Sequence, residues 1–133
     1  MNGDAGYALK KLDLAILLLA TGRGDVRSRL LNAFHAELAV VQDSDFPDNL
    51  RPDWLWIKQC LTRKGPRVRE DGTVLMGAVQ NTLYTMHNKT GSRISERLID
   101  LKDKLEGYLI DEQKNSLNQP LQLAVRRRRA RGS

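Results

Sequence analysis

Apolar positions recur along most of this chain with the spacing of one helix face. Leu9, Leu12, Ile16 and Leu19 step by three and four, which predicts a first helix over residues 7–20. Leu14, Leu17 and Leu18 spread apolar surface round most of its circumference, the mark of a central helix. Gly22 and Gly24 end it, as glycine does just past a helix C-terminus. Asp25 is a good N-cap for a second helix running to about Gln42, with the stripe Val26, Leu30, Phe34, Leu38 and Val41. A connection dense in turn residues covers 43–49. A third helix begins between Asp48 and Pro52, because proline is tolerated in a first turn. It carries Trp54, Ile57 and Leu61 and stops near Arg63, since Gly65-Pro66 cannot continue it.

Residues 65–72 read as a loop closed by Asp71-Gly72. A fourth helix over about 73–87 places Leu75, Val79, Leu83 and Met86 on one face. The β-branched start, Thr73-Val74, leaves a short strand at 73–79, or a strand pair around 67–75, as the alternative. Asn88 to Gly91 reads as a turn and Ser92 as the cap of a fifth helix ending near Ile110. Ile94, Leu98, Leu101, Leu105 and Tyr108 alternate four and three apart along it, a heptad-like run too short for a coiled coil. The pattern then fades. The expected architecture is all-α, a small bundle of four to five helices over residues 1–110. A polar linker and a basic, flexible C-terminal tail follow over 111–133.

Charge changes the picture only at the end of the chain. The net charge of +6 comes from 22 basic and 16 acidic residues. Five of the arginines (Arg126, Arg127, Arg128, Arg129 and Arg131) lie in the last eight positions, so residues 1–125 hold 17 basic against 16 acidic residues, a net +1. The body is nearly neutral and the basicity belongs to the tail. A cluster of that kind neutralises phosphates without reading sequence, in a salt-dependent way. An anionic membrane surface or an acidic protein offers the tail the same charge complement.

The body has one contiguous basic feature, residues 54–69. Both tryptophans and the lone Cys60 sit there with Lys58, Arg63, Lys64, Arg67 and Arg69. Residues two apart on a helix point about 200° away from each other, so Trp54 and Trp56 do not share a face. Trp54 lies with Ile57 and Leu61 and is assigned to the core. Trp56 lies with Cys60 on another face, where it is either covered by a neighbouring element or left as a partner-binding or stacking surface. Cations after a helix C-terminus are favoured by its dipole, which gives the loop a purely structural reading. Beside an exposed tryptophan the same cations suit the phosphates and bases of a single strand.

Chemistry for an enzyme is sparse. Two histidines and one cysteine make no zinc set, and no Cys-x-x-Cys occurs. Asp43, Asp45 and Asp48 lack the glycine and the bidentate glutamate of a calcium loop. No metal and no cofactor is expected. A single cysteine excludes an internal disulfide framework, and the longest apolar run is far short of a membrane span, so a cytoplasmic setting is expected.

Arg29 and His35, separated by five residues within one helix, resemble the Arg…His motif of the HEPN superfamily. The resemblance covers seven residues and departs from the pattern at Leu30, where that family prefers a polar side chain. It implies a small helical ribonuclease that brings the two residues together across a dimer. The residues by themselves point first to a different class, a non-enzymatic binding or regulatory module. It contacts nucleic acid or a nucleoprotein complex through the 63–69 loop and the arginine tail. A protein–protein adaptor or homo-oligomeric scaffold held through Trp56 is the alternative.

Overall fold

The computed structural model describes the backbone of residues 3–132 and the side chains of residues 3–117. Five α-helices form a small bundle, with one two-stranded antiparallel sheet at its edge. α1 spans Ala5–Thr21, α2 Val26–Ala36, α3 Arg51–Leu61, α4 Ala78–Tyr84 and α5 Asn88–Gly132; β1 is Arg67–Val68 and β2 Val74–Met76.

Two aspartates cap the first helices: Asp25 as its sequence position implies, and Asp4, which starts α1 two residues earlier than expected. The Asp4 carboxylate accepts the Tyr7 N–H at 3.0 Å and caps α1; the Asp25 carboxylate accepts the Ser28 N–H at 3.1 Å and caps α2. Between them Gly24 turns the chain at φ +87°, in the left-handed region that glycine enters without steric cost. α2 is shorter than its apolar stripe. After Ala36 the chain tightens into a 3₁₀ turn over Leu38–Val40 and then becomes extended at Val41. The β-branched pair Val40-Val41 favours that departure, and Leu38 and Val41 stay buried through it. A second 3₁₀ turn, Asp43–Asp45, precedes α3. Asp45 ties it to the start of the chain, accepting the N–H groups of Asp4 and Gln42 at 2.9 Å each.

α1 and α5 are the main pillars, each packed on the other and on α2, and α5 also receives α3. Ile94, Leu98, Leu101 and Leu105 of α5 are buried with Leu12 and Leu19 of α1. Ala8 and Ala15, both fully buried, are small enough to let those axes approach. α1 is not apolar-buried all round: Leu17 is 55 % exposed. From the other side Leu30, Leu38, Ile57 and Leu61 close the core, and Trp54 stacks on Phe46 at 5.0 Å.

Three expectations about the second half of the chain are corrected. Residues 73–77 are not the first turns of the fourth helix. Val74–Met76 pairs with Arg67–Val68, and α4 begins only at Ala78. Gly72 adopts φ +87° and the Asp71 carboxylate accepts the Thr73 N–H at 3.0 Å, so the connecting turn is locally closed. Beyond it the β-branched Thr73-Val74 extends. Leu75 is consequently exposed, whereas Val79 and Leu83 are buried as their spacing requires.

The second correction concerns Asn88 to Gly91. These residues are not a turn but the first turn of α5, so Ser92 is no cap. Gly91 is there for contact: a Cβ on it would lie 2.8 Å from Val26 Cγ1. The third is at the far end, where α5 continues past Ile110 to Gly132 as one helix. The tail arginines at 126–129 and 131 have side chains outside the described residues.

Candidate nucleic-acid interface

The stretch 54–69 divides between core and surface as the helical wheel of α3 demands. Trp54 is 1 % exposed and Trp56 is 39 % exposed. The Trp54 indole N–H donates to Asp43 Oδ1 at 2.9 Å, and Lys58 Nζ donates to the same oxygen at 2.8 Å. Those two contacts, with that of the lysine the stronger, hold the Asp43 carboxyl below the ordinary aspartate range. Lys58 therefore joins α3 to the 3₁₀ turn. Among the described residues it is the one predicted cation of the 54–69 stretch whose charge has a carboxylate partner.

The remaining predicted cations are placed differently. Arg63, Arg67 and Arg69 are exposed. Lys64 is also exposed but folded back onto α4, its Nζ donating to Thr85 Oγ1 and its backbone N–H donating to Thr82 Oγ1 at 3.1 Å. Gly65 turns the chain at φ +66° and its carbonyl accepts from Asn81 Nδ2 at 3.0 Å. These bonds fasten the basic loop to α4 and give its cations a defined platform. Arg67 and Arg69 follow on the hairpin, among the exposed Val68, Val74 and Leu75.

α3 and α5 lie side by side and antiparallel. Asp53 meets Lys104 at 3.2 Å, and Trp56 meets Arg97 further along. Cys60 and Arg63 share a cleft with Thr90 at the other end. Of the concavities along this seam, two are lined by cations that have no acidic partner among the described residues. The first, 290 Å³, is lined by Trp56, Arg93, Glu96, Arg97 and Asp100, with the Arg97 guanidinium 4.8 Å from the indole centroid. The second, 190 Å³, lies where α3 and α4 end and α5 begins; Arg63, Lys64, His87 and the threonines 82, 85 and 90 line it together with Cys60 and Met86. The positive end of the α5 dipole is directed there as well.

Among the described residues, none of Arg63, Lys64, Arg67, Arg69, Arg93 and Arg97 lies within the 4.0 Å ion-pairing distance of a carboxylate. Lys104 on the seam, and Lys11, Arg27, Arg51 and Lys102 elsewhere, have acidic partners. The seam and the hairpin thus hold positive charge that the fold does not neutralise by direct pairing.

No family model, curated protein or solved structure matches this chain. The arrangement of its own residues carries the functional reading. Among the described residues no group of three or more histidine, cysteine or acidic side chains is placed to hold a metal ion, and no helix is long and apolar enough to cross a membrane.

Arg93 and Arg97 escaped the reading of the sequence, as did the threonines and His87. The signal was present: Thr90, Arg93 and Arg97 step by three and four beside the core stripe Ile94, Leu98 and Leu101. What the chain alone did not show was that this neighbouring stripe faces Trp56. Arg29 and His35 are not brought together. Arg29 is half-buried and donates from Nη1 to the Leu19 carbonyl at 2.8 Å, closing the end of α1. His35 is exposed, with its ring edge-on to Phe34 at 5.9 Å.

Proposed function

We propose that this chain is a non-enzymatic module that binds the phosphate backbone of nucleic acid, alone or within a nucleoprotein complex. The α3–α5 seam, the 63–69 segment and the C-terminal arginines make the contacts. The observation that carries the reading is a set of cations without an acidic partner among the described residues, Arg63, Arg67 and Arg69 on one segment and Arg93 and Arg97 beside the exposed Trp56. Arginine offers forked donors to phosphate oxygens, and the indole offers a face on which a base stacks. Such a surface binds many sequences with similar affinity and responds steeply to salt.

The test is titration of a labelled single strand with the full chain across a salt series. Arg63, Arg67 and Arg69 changed together to Gln should lower the magnitude of the log–log salt slope by up to about 2, at about 0.7 per single-strand phosphate contact. Removal of residues 126–133 should lower it further. Absence of binding at low salt ends this reading.

A second reading, a protein–protein adaptor, has one observation in its favour. Val68, Val74 and Leu75 of the hairpin and Tyr84 of α4 are all more than half exposed. Light scattering on the purified chain tests its self-associating form: a monomer at every concentration removes the homo-oligomer.

A further inference from the structure

The 190 Å³ cleft at the end of the seam differs from the exposed arginines around it. It is a recess whose lining combines two cations, one imidazole and three hydroxyls, without a carboxylate. Thr82, 5 % exposed, forms part of its wall. The Thr82 hydroxyl oxygen accepts the Lys64 N–H, and among the described residues no acceptor takes its proton. A buried hydroxyl with an unused donor beside an anion-favouring recess marks a place for an acceptor oxygen. Lys64 is drawn to the same recess by Thr85, and Arg63 stands at its rim.

We infer that this cleft is a subsite for a phosphate monoester, the terminal phosphate of a nucleic-acid strand. The inference rests on the nucleic-acid reading above and adds the group that is recognised. A backbone phosphodiester presents two non-bridging oxygens and one negative charge. A terminal monoester presents three oxygens and nearly two charges. The guanidinium of Arg63, the ammonium of Lys64 and the hydroxyls of Thr82, Thr85 and Thr90 form a donor set larger than two oxygens can use. The first-turn N–H groups of α5 add a favourable potential for the second charge. Cys60 and Met86 supply the apolar part of the lining, so the charged oxygens of an entering group meet the polar side chains. From there the seam leads along α3 and α5 to Trp56, where a base of the same strand can stack.

The experiment uses the full chain and four probes: inorganic phosphate, and one short single strand carrying a 5′-phosphate, a 3′-phosphate or neither. Amide NMR follows the site and fluorescence anisotropy gives affinity. One phosphorylated strand should bind roughly tenfold or more tightly than the unphosphorylated strand, the scale of a charge-assisted contact set. The amides of Lys64, Thr82 and Thr90 should move with it and with inorganic phosphate. The two phosphorylated arms show which strand end is taken. Arg63→Gln and Thr90→Val, at exposed and half-exposed positions, should each erase most of that preference while leaving the amide spectrum folded. Equal affinity for all three strands overturns the inference and leaves the nucleic-acid reading standing. Phosphate shifts confined to the cleft with no strand bound overturn the nucleic-acid reading and keep the phosphate site. Inorganic phosphate that leaves the cleft amides unmoved overturns the site itself.

Discussion

The guanidinium of Arg97 lies over the indole of Trp56, 4.8 Å from the ring centroid, and joins two helices that meet nowhere in sequence. An indole face attracts a cation through its quadrupole, at an exposed site by about 0.5–1 kcal/mol. The pair orders the tryptophan while leaving it 39 % exposed. Arg97→Ala should therefore cost less than about 1 kcal/mol in denaturant unfolding, since only this contact is lost. The same variant should increase quenching of Trp56 by iodide, with the buried Trp54 as an internal unquenched background. Unchanged quenching would show that the arginine does not cover the ring.

Trp56→Ala separates base stacking from charge. It should weaken single-strand binding by about 1–3 kcal/mol and leave the salt slope unchanged, because no phosphate contact is removed. A slope that falls with the affinity would mean the ring acts by positioning Arg97.

Asp43 serves two partners at once, and the substitutions Asp43→Ala and Asp43→Asn distinguish them. Alanine leaves the buried Trp54 N–H without an acceptor, a loss of about 1–3 kcal/mol. Asparagine keeps an acceptor for the indole and removes only the charge partner of Lys58, so it should cost less. Equal losses in urea unfolding would refute the division.

The pH dependence of stability follows from the same carboxylate and from Asp25. Lys58 lowers the Asp43 pKa, and the Ser28 N–H followed by Arg27 lowers that of Asp25. A group whose folded pKa is depressed contributes fully above its unfolded value and loses that contribution as pH falls through the folded one. Stability should be flat above pH 5 or so and decline below the ordinary aspartate value of 3.8. Asp43→Asn should shallow that decline. A decline centred near pH 6 would overturn the assignment to these two carboxylates.

Gly91 gives the sharpest test of packing. Glycine to alanine inside a helix normally gains up to about 1 kcal/mol from propensity. Here the new methyl meets Val26 Cγ1 at 2.8 Å, and overpacking of this kind costs about 1–3 kcal/mol. Gly91→Ala should therefore destabilise the fold, and Val26→Ala in the same chain should restore most of the loss. A stabilised single variant would show that α2 and α5 can separate at no cost.

The sequence by itself determined the helical class and most of the core. Leu12, Leu30, Ile57, Ile94, Leu98, Leu101 and Leu105 fall on apolar stripes and are buried, because a 3.6-residue period commits one face to the interior wherever that interior lies. The caps Asp25 and the Pro52 start of α3 were equally legible, since both act within a single turn of chain. That Trp54 and Trp56 lie on different faces followed from the same geometry, whereas the exposure of Trp56 was settled by what packs beside it.

Only the tertiary structure decided what depends on a partner distant in the chain. Lys58 reads as a free cation until Asp43, fifteen residues away, takes its charge. Gly91 reads as a turn until Val26 shows why no side chain fits there. Thr73-Val74 could enter a helix or a strand, and pairing with β1 chose the strand. The candidate site is the clearest case. Its basic loop was visible as a run of charges, whereas Arg93, Arg97 and the threonines became part of it only when α5 packed against α3. Periodicity fixes which way a residue faces on its own helix; packing fixes what it faces.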